Sequence, residues 1–229
     1  PNSITTDMVA YNPARDSGNY VLTNNYVHET KGRGFLLNCD NGLCDGNTFY
    51  RTCSQTLQVR TDIPTDRVIE GTGADHIQIS NNRFIECNFG GRGDIITIEG
   101  MLNGKRAKDT ILSDIRISDN QFDSCFQEVI DADNVNGLTV TDNIFRNCEN
   151  YIFGEHCKNL ITESNTFLPK GDANADGEFN IADVVALQKW LITVPDTKLA
   201  DWQSADVCMD NVLNVFDICV MREMLTDLY

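Results

Sequence analysis

Six times in the first 168 residues, an asparagine is followed two positions later by an apolar side chain, and a short stretch of strand-like residues precedes it. The segments are Val21–Val27, Leu43–Phe49, Ile77–Phe84, Ile115–Phe122, Leu138–Phe145 and Leu160–Phe167, with asparagines at Asn25, Asn47, Asn82, Asn120, Asn143 and Asn165. The separations are 22, 35, 38, 23 and 22 residues, so the unit is about 22 residues long and two copies carry insertions of roughly 13 to 16. Such regularity leaves few folds. The alternation in Ile77-Gln78-Ile79 or Leu138-Thr139-Val140 is strand periodicity with one buried face. A polar pair that tolerates left-handed backbone then turns the chain, and a Phe returns it to the core. Parallel strands stacked about 4.8 Å apart would set each Asn over the next and each Phe over the next. Residues 1–168 are therefore expected to form an all-β, right-handed parallel β-helix whose coils share one core.

The cysteines keep the same register. Cys87, Cys125 and Cys148 fall three residues after the aligned Phe, and Cys53 falls four after its own. A column of small inward thiols accounts for this better than disulfides do, because stacked parallel side chains rarely meet the required dihedral. Among nine cysteines no zinc spacing occurs. The first coil begins abruptly, and Pro1–Asn19 has too little apolar sequence to cap an open solenoid end. The expectation is the C-terminal part of a longer solenoid, or a chain whose leader has been removed.

Charge marks a second unit. Residues 1–169 hold 14 basic and 23 acidic side chains, whereas residues 170–229 hold 4 and 11, a net of −7 in 60 residues. The whole chain carries −16, which repels phosphate backbones and argues against nucleic-acid binding. No run of about 18 apolar residues is present to span a membrane. The boundary falls at residues 168/169, leaving 169–229 as a small all-α module.

That module contains Asp172-Ala-Asn174-Ala-Asp176-Gly177-Glu178-Phe179-Asn180-Ile-Ala-Asp183. Oxygen donors stand at loop positions 1, 3, 5, 9 and 12. Gly177 provides the bend at position 6, and Glu178 offers its carbonyl at position 7, the pattern of a twelve-residue calcium loop. Thirty-four residues later Asp206, Asp210, Val212 (by its carbonyl), Asn214 and Asp217 repeat it, with Cys208 at position 3 and Asn211 in place of the glycine. Two Ca2+ ions are expected, the second held more weakly because sulfur is a poor calcium ligand. Each loop leads into a stretch of helical spacing, Asp183–Ile192 and Asp217–Leu228, and Thr197–Gln203 has the composition of a short middle helix.

The words GDANADGEFNIADVVALQKWL and ADVCMDNVLNVFDICVMREML resemble the type I dockerin family over Lys170–Tyr229. The position-3 Cys and the linker resemble variants from ruminococcal gut cellulosomes. The resemblance implies a secreted, extracellular component that docks onto a cohesin module of a scaffoldin. It also implies a cohesin-facing surface of Ile181, Ala182, Gln188 and Lys189 in one half and Val215, Phe216, Arg222 and Glu223 in the other. Phe216 is either the interface anchor or part of the module's own core.

For the solenoid, paired carboxylates beside the inserted loops are the candidates for glycan chemistry: Asp62, Asp66, Glu70, Asp94, Glu99, Asp131 and Asp133. Arg33, Arg60 and Arg92 could orient a sugar or a uronate carboxylate. The coils NNYVHETKGRGFLL and DRVIEGTGADHIQISNNRFIECN are similar to those of β-helical α-1,3-galactosidases of glycoside hydrolase family one hundred and ten. In that family an Arg-Gly coil, here Arg33-Gly34-Phe35-Leu36, precedes acids in the next loop. The resemblance singles out Asp62 and Glu70 as catalytic, and Arg33, Arg60 and Arg92 stay the substrate-binding candidates on their chemistry alone. The family's adjacent aspartates have no counterpart here. A glycoside hydrolase acting on plant or gut polysaccharide is the leading expectation, and a polysaccharide lyase or a non-catalytic carbohydrate-binding solenoid the alternatives.

Overall fold

A computed structural model describes residues 18–64, 73–148 and 151–227, with only the main chain of Tyr151 and Ile152. Coil by coil, the solenoid strands are β1 (Val21–Thr23), β2 (Tyr26–His28) and β3 (Phe35–Leu37), then β4 (Leu43–Asp45), β5 (Thr48–Tyr50) and β6 (Leu57–Ile63). The third coil contributes β7 (Ile77–Ser80), β8 (Arg83–Ile85) and β9 (Ile96–Leu102), with β10 (Lys105–Arg106) folded back on β9. The fourth holds β11 (Leu112–Ser118), β12 (Gln121–Asp123) and β13 (Ile130–Ala132). The last two hold β14 (Val135–Thr141), β15 (Ile144–Arg146) and β16 (Tyr151–Phe153), then β17 (Lys158–Glu163) and β18 (Thr166–Leu168). Every third strand joins the same sheet, giving the orders β1-β4-β7-β11-β14-β17, β2-β5-β8-β12-β15-β18 and β3-β6-β9-β13-β16. All pairings are parallel except the β9–β10 hairpin. Short strands wound into stacked parallel sheets make this a parallel β-solenoid, as the repeat requires.

The asparagines form the expected ladder. In each rung the Oδ1 of one Asn accepts both the main-chain N–H and the amide Nδ2 of the Asn one coil earlier: Asn47 to Asn82, Asn82 to Asn120, Asn120 to Asn143. Asn25 and Asn165 extend it at either end. The residue before Asn82, Asn120 and Asn143 is in each case left-handed: Asn81, Asp119 and Asp142. Asn and Asp bear that conformation at little cost. Below the ladder, Phe49, Phe84, Phe122, Phe145 and Phe167 stack with centroids 4.6–5.0 Å apart. Isoleucines, leucines and valines fill the rest of the core. All nine cysteines are free thiols, with Cys87 and Cys125 buried in the core column and Cys125 N–H donating to Cys148 Sγ. The expected uncapped first coil concerns residues of which 1–17 lie outside those described.

The C-terminal unit contains α1 (Ile181–Leu191), α2 (Trp202–Ala205) and α3 (Val215–Asp227). Val184, Leu187, Val207, Ile218 and Met221 form its core. Both long helices begin two residues before the expected Asp183 and Asp217, because the preceding asparagines cap them. Asn180 Oδ1 accepts from Ala182 N–H, and Asn214 Oδ1 from Phe216 N–H. The expected middle helix at Thr197–Gln203 is displaced to Trp202–Ala205, where Asp201 caps it through Gln203 N–H.

Candidate functional site

The first candidate site is the pair of twelve-residue loops. In the first, Asp172 Oδ1 and Oδ2 accept from the N–H groups of Asp176 and Gly177, and Asp183 Oδ1 and Oδ2 accept from those of Asn174 and Asn180. In the second, Asp206 accepts from Asp210 and Asn211, and Asp217 accepts from Cys208 and Asn214, position for position the same bonds. The backbone repeats too: positions 4 and 6 are left-handed in both loops, at Ala175 and Gly177 and at Met209 and Asn211. Asp172, Asp183 and Asp217 are wholly buried, and Asp206 nearly so. Burial, then repulsion from Asp183 and Asp176, pushes the Asp172 carboxyl up against the two N–H donors that lower it.

Buried acids with no basic partner among these contacts suit a hard cation, and the donor set is oxygen alone in the first loop. Among the described residues no three His, Cys, Asp or Glu side chains gather into a metal-holding group. Asn174 and the main-chain carbonyls of Glu178 and Val212 would therefore have to complete the shells. Asn180 and Asn214, the expected position-9 ligands, also cap the two helices through their Oδ1 atoms. Cys208 is pushed up by desolvation and by Asp217, Asp210 and Asp206. Beside the loops, Ile181, Ala182, Lys189, Val215, Phe216, Arg222 and Glu223 are exposed, and Gln188 is half-buried. Phe216 is 67% exposed, which removes it from the module's own core.

The second candidate site is the outer face of the β3-β6-β9-β13-β16 sheet. Leu57, Val59, Ile96, Ile98, Ile130 and Ala132 are buried inward. The residues between them therefore project outward in two rows. Leu36, Gln58, Thr97 and Asp131 share one register position, and Arg60 stands beside Glu99 in the next. Arg33 Nη1 donates to Gln58 Oε1 at 2.7 Å, and Gln58 Nε2 to Glu99 Oε1 at 3.3 Å. Arg60 donates to Glu99 Oε1 at 3.1 Å and to Asp62 Oδ2 at 2.8 Å. From β10, Arg106 donates to Glu99 and, through both terminal nitrogens, to Asp131. Asp94 lies in hydrogen-bond contact with Glu128 and Asp131; burial first, then these two carboxylates, push it up to about 7. Thr97 is buried in register between Gln58 and Asp131, and its hydroxyl has no hydrogen-bond partner.

Asp62, Arg33 and Arg60 thus come together as the sequence suggests, and Asp94, Glu99 and Asp131 join them. Arg92 is exposed, and among the described residues no hydrogen bond or ion pair joins it to the network. Glu70 and Asp66 lie outside the described residues. Asp133 is held by His156 and by the N–H of Asn134, a structural tie. Sequence reasoning missed Arg106, Glu128, Gln58 and Thr97. The signal for Arg106 was present: Asn103-Gly104, both left-handed, make the tight turn that brings β10 onto β9. Chemically, a carboxyl that keeps its proton near neutrality beside ionised carboxylates can serve as acid and base in one site. Arg60 and Arg106 are paired with Asp62, Glu99 and Asp131, whereas Arg33 bonds the neutral amide of Gln58.

No protein-family model matches this chain, and no curated protein matches it.

Proposed function

We propose that the chain is a secreted, scaffold-borne component of a polysaccharide-degrading complex: a right-handed β-helix carried by a type I dockerin. The observation that carries this reading is the duplicated loop, whose first and last aspartates accept the same four main-chain bonds in each copy, 34 residues apart. Duplication of a loop–helix unit makes two similar faces, and the exposed apolar side chains cluster where each helix begins. Ile181 and Val185 lie on α1, Val215 and Phe216 on α3. Such side chains, rimmed by Lys189, Arg222 and Glu223, suit a protein partner. The partner in this reading is a cohesin. Calcium, when bound, would supply the positive charge that lets Asp172, Asp183, Asp206 and Asp217 stay ionised together. The residues of the chain do the shaping: they hold each loop closed and set the start of each helix.

The halves differ in chemistry, Ala182 against Phe216 and Lys189 against Glu223, which favours one binding orientation. Isothermal titration of the full chain against a panel of cohesins, with calcium and with chelator, tests the reading. Calcium-dependent binding to at least one cohesin, weakened by Phe216→Ala, is expected; no binding to any would overturn it.

The solenoid is the cargo, and we assign it to glycoside hydrolysis on the outward network. The pairing of Arg60 and Arg106 with carboxylates favours a hydrolase over a lyase, because a lyase must neutralise a uronate. In this reading a carboxyl of the Asp94–Glu128–Asp131 group donates a proton to the glycosidic oxygen, and an ionised carboxylate takes one from the attacking water. The C–O bond breaks and a C–OH bond replaces it. Reducing-sugar release from neutral polysaccharides, abolished by Asp131→Asn, is the expected result.

A further inference from the structure

Sheet β2-β5-β8-β12-β15-β18 faces the C-terminal unit, and a groove of about 450 Å³ lies between them. Arg146 seats the two walls. Its Nε donates to Asp201 Oδ2 at 2.6 Å, and its Nη1 donates to Asp123 Oδ1 at 3.1 Å. The solenoid wall presents Tyr26, Tyr50 and Arg83, and the helical wall presents Trp202 and Gln203. Tyr26 is 61% exposed and Trp202 44%, although large aromatics on a folded chain are normally covered. Arg83, Arg146 and Lys170 line the groove beside Glu86, Asp123 and Asp206, the last being already assigned to the second calcium loop. Moreover, Arg146 and Arg83 both pair with Asp123, and Glu86 is paired with Arg51.

A concave site with flat aromatic plates, side-chain amides and arginines already held in ion pairs selects an uncharged, hydroxyl-rich ligand with apolar C–H faces. The volume falls within the usual range for small-ligand sites, roughly 300–1,000 Å³. A polyanion would find both groove arginines already paired with carboxylates, and a peptide would find no continuous apolar strip among the lining residues. We propose that this groove is a binding site for a short stretch of neutral glycan, stacked on Trp202 and shared between the solenoid and the C-terminal unit. The helical unit then has a second role besides scaffold docking. It completes a sugar site that the solenoid alone does not form, and that site lies on a different sheet from the carboxylate network.

The test uses the full chain in calcium. Electrophoretic retardation is measured in gels containing xyloglucan, galactomannan, arabinoxylan, galactan or, as the anionic comparison, polygalacturonate. Retardation by at least one neutral glycan is expected. Trp202→Ala should weaken binding about tenfold or more, and Tyr26→Ala on the opposite wall should weaken it in the same direction. The chain has two tryptophans. In a Trp190→Phe background the emission of Trp202 should shift to the blue as the same glycan is added. Asp131→Asn on the other sheet should bind as the parent does. The proposal is overturned if no neutral glycan retards the chain, if only polygalacturonate does, or if Trp202→Ala and Tyr26→Ala both bind unchanged. It is equally overturned if binding follows Asp131. Cohesin titration and sugar release are separate measurements, so failure here leaves the preceding reading standing, and the reverse.

Discussion

Asn120 is wholly buried, and its amide is fully used. Oδ1 accepts two bonds from Asn82, while Nδ2 contacts the carbonyl oxygens of Ile79 and Ser118 and Oδ1 of Asn143. Asn120→Ala would leave buried donors on Asn82 and an acceptor on Asn143 under-satisfied. Each such group costs about 1–3 kcal/mol, so a loss of about 3 kcal/mol or more in urea unfolding is expected; a loss under about 1 kcal/mol would show the ladder to be ornamental. The ladder was legible in the sequence because parallel stacking turns a repeat in sequence into a column in space. The carboxylate network was legible only in part. Asp94 and Glu128 lie 34 residues apart, a distance that includes the β9–β10 hairpin, so spacing alone did not register them.

Asp94 also gives the residue scale its pH dependence. Its pKa is raised from 3.8 to about 7, by burial and then by Asp131 and Glu128. Between those values the folded chain binds more protons than the unfolded one, so this residue's contribution to stability falls as pH rises through that window. Asp94→Asn should therefore melt higher than the parent at pH 7.5, with the difference vanishing below about pH 4. Melting curves across that range check it; a constant difference would mean that the proton is not held there.

At the scale of elements, the loop and the helix it launches are one device. Asp183 closes the first loop by accepting from Asn174 and Asn180, and the second of these bonds completes a capping box on α1. The sequence marked Asp183 and Asp217 as ligands but began the helices on them. The capping role of Asn180 and Asn214 was hidden because the same oxygen also reads as a loop ligand. Asp183→Ala should cost about 1 kcal/mol through the cap alone, and should abolish the first of two calcium-binding events in a calorimetric titration. Asp217→Ala should abolish the weaker second event and leave the first. If both variants still bind two ions, the loops are polar turns and nothing more. Chelator should likewise lower helical circular dichroism while leaving the strand signal of the solenoid intact, since no solenoid hydrogen bond passes through the loops.

At the scale of the whole molecule, charge density in the sequence places an expected boundary at 168/169, but it says nothing of how the C-terminal helices seat on the solenoid. Arg146 lies on β15, and Asp201 caps α2. Nothing in the sequence between them announces that residues 55 positions apart will meet. Both are nearly closed off from solvent, at 13% and 4% side-chain exposure. Burial works against the Arg146 charge, and Asp201 and Asp123 outweigh it, so the guanidinium stays protonated at any accessible pH. Removing one member of a buried pair leaves the other uncompensated, at about 3–5 kcal/mol. That cost falls on the contact between the units, because the Asn and Phe columns of the solenoid run past Arg146 without using it. Arg146→Ala should therefore leave the melting of the solenoid in place while hydrogen exchange speeds up across Trp202–Ala205. Arg146→Lys, which keeps the charge but cannot span two carboxylates at fixed geometry, should fall between. The pair is shielded, so 0.5 M salt should not mimic the alanine variant, as it would for an exposed ion pair. Unchanged exchange in Arg146→Ala would mean that the two units touch without being coupled, and that the groove between them has no fixed width.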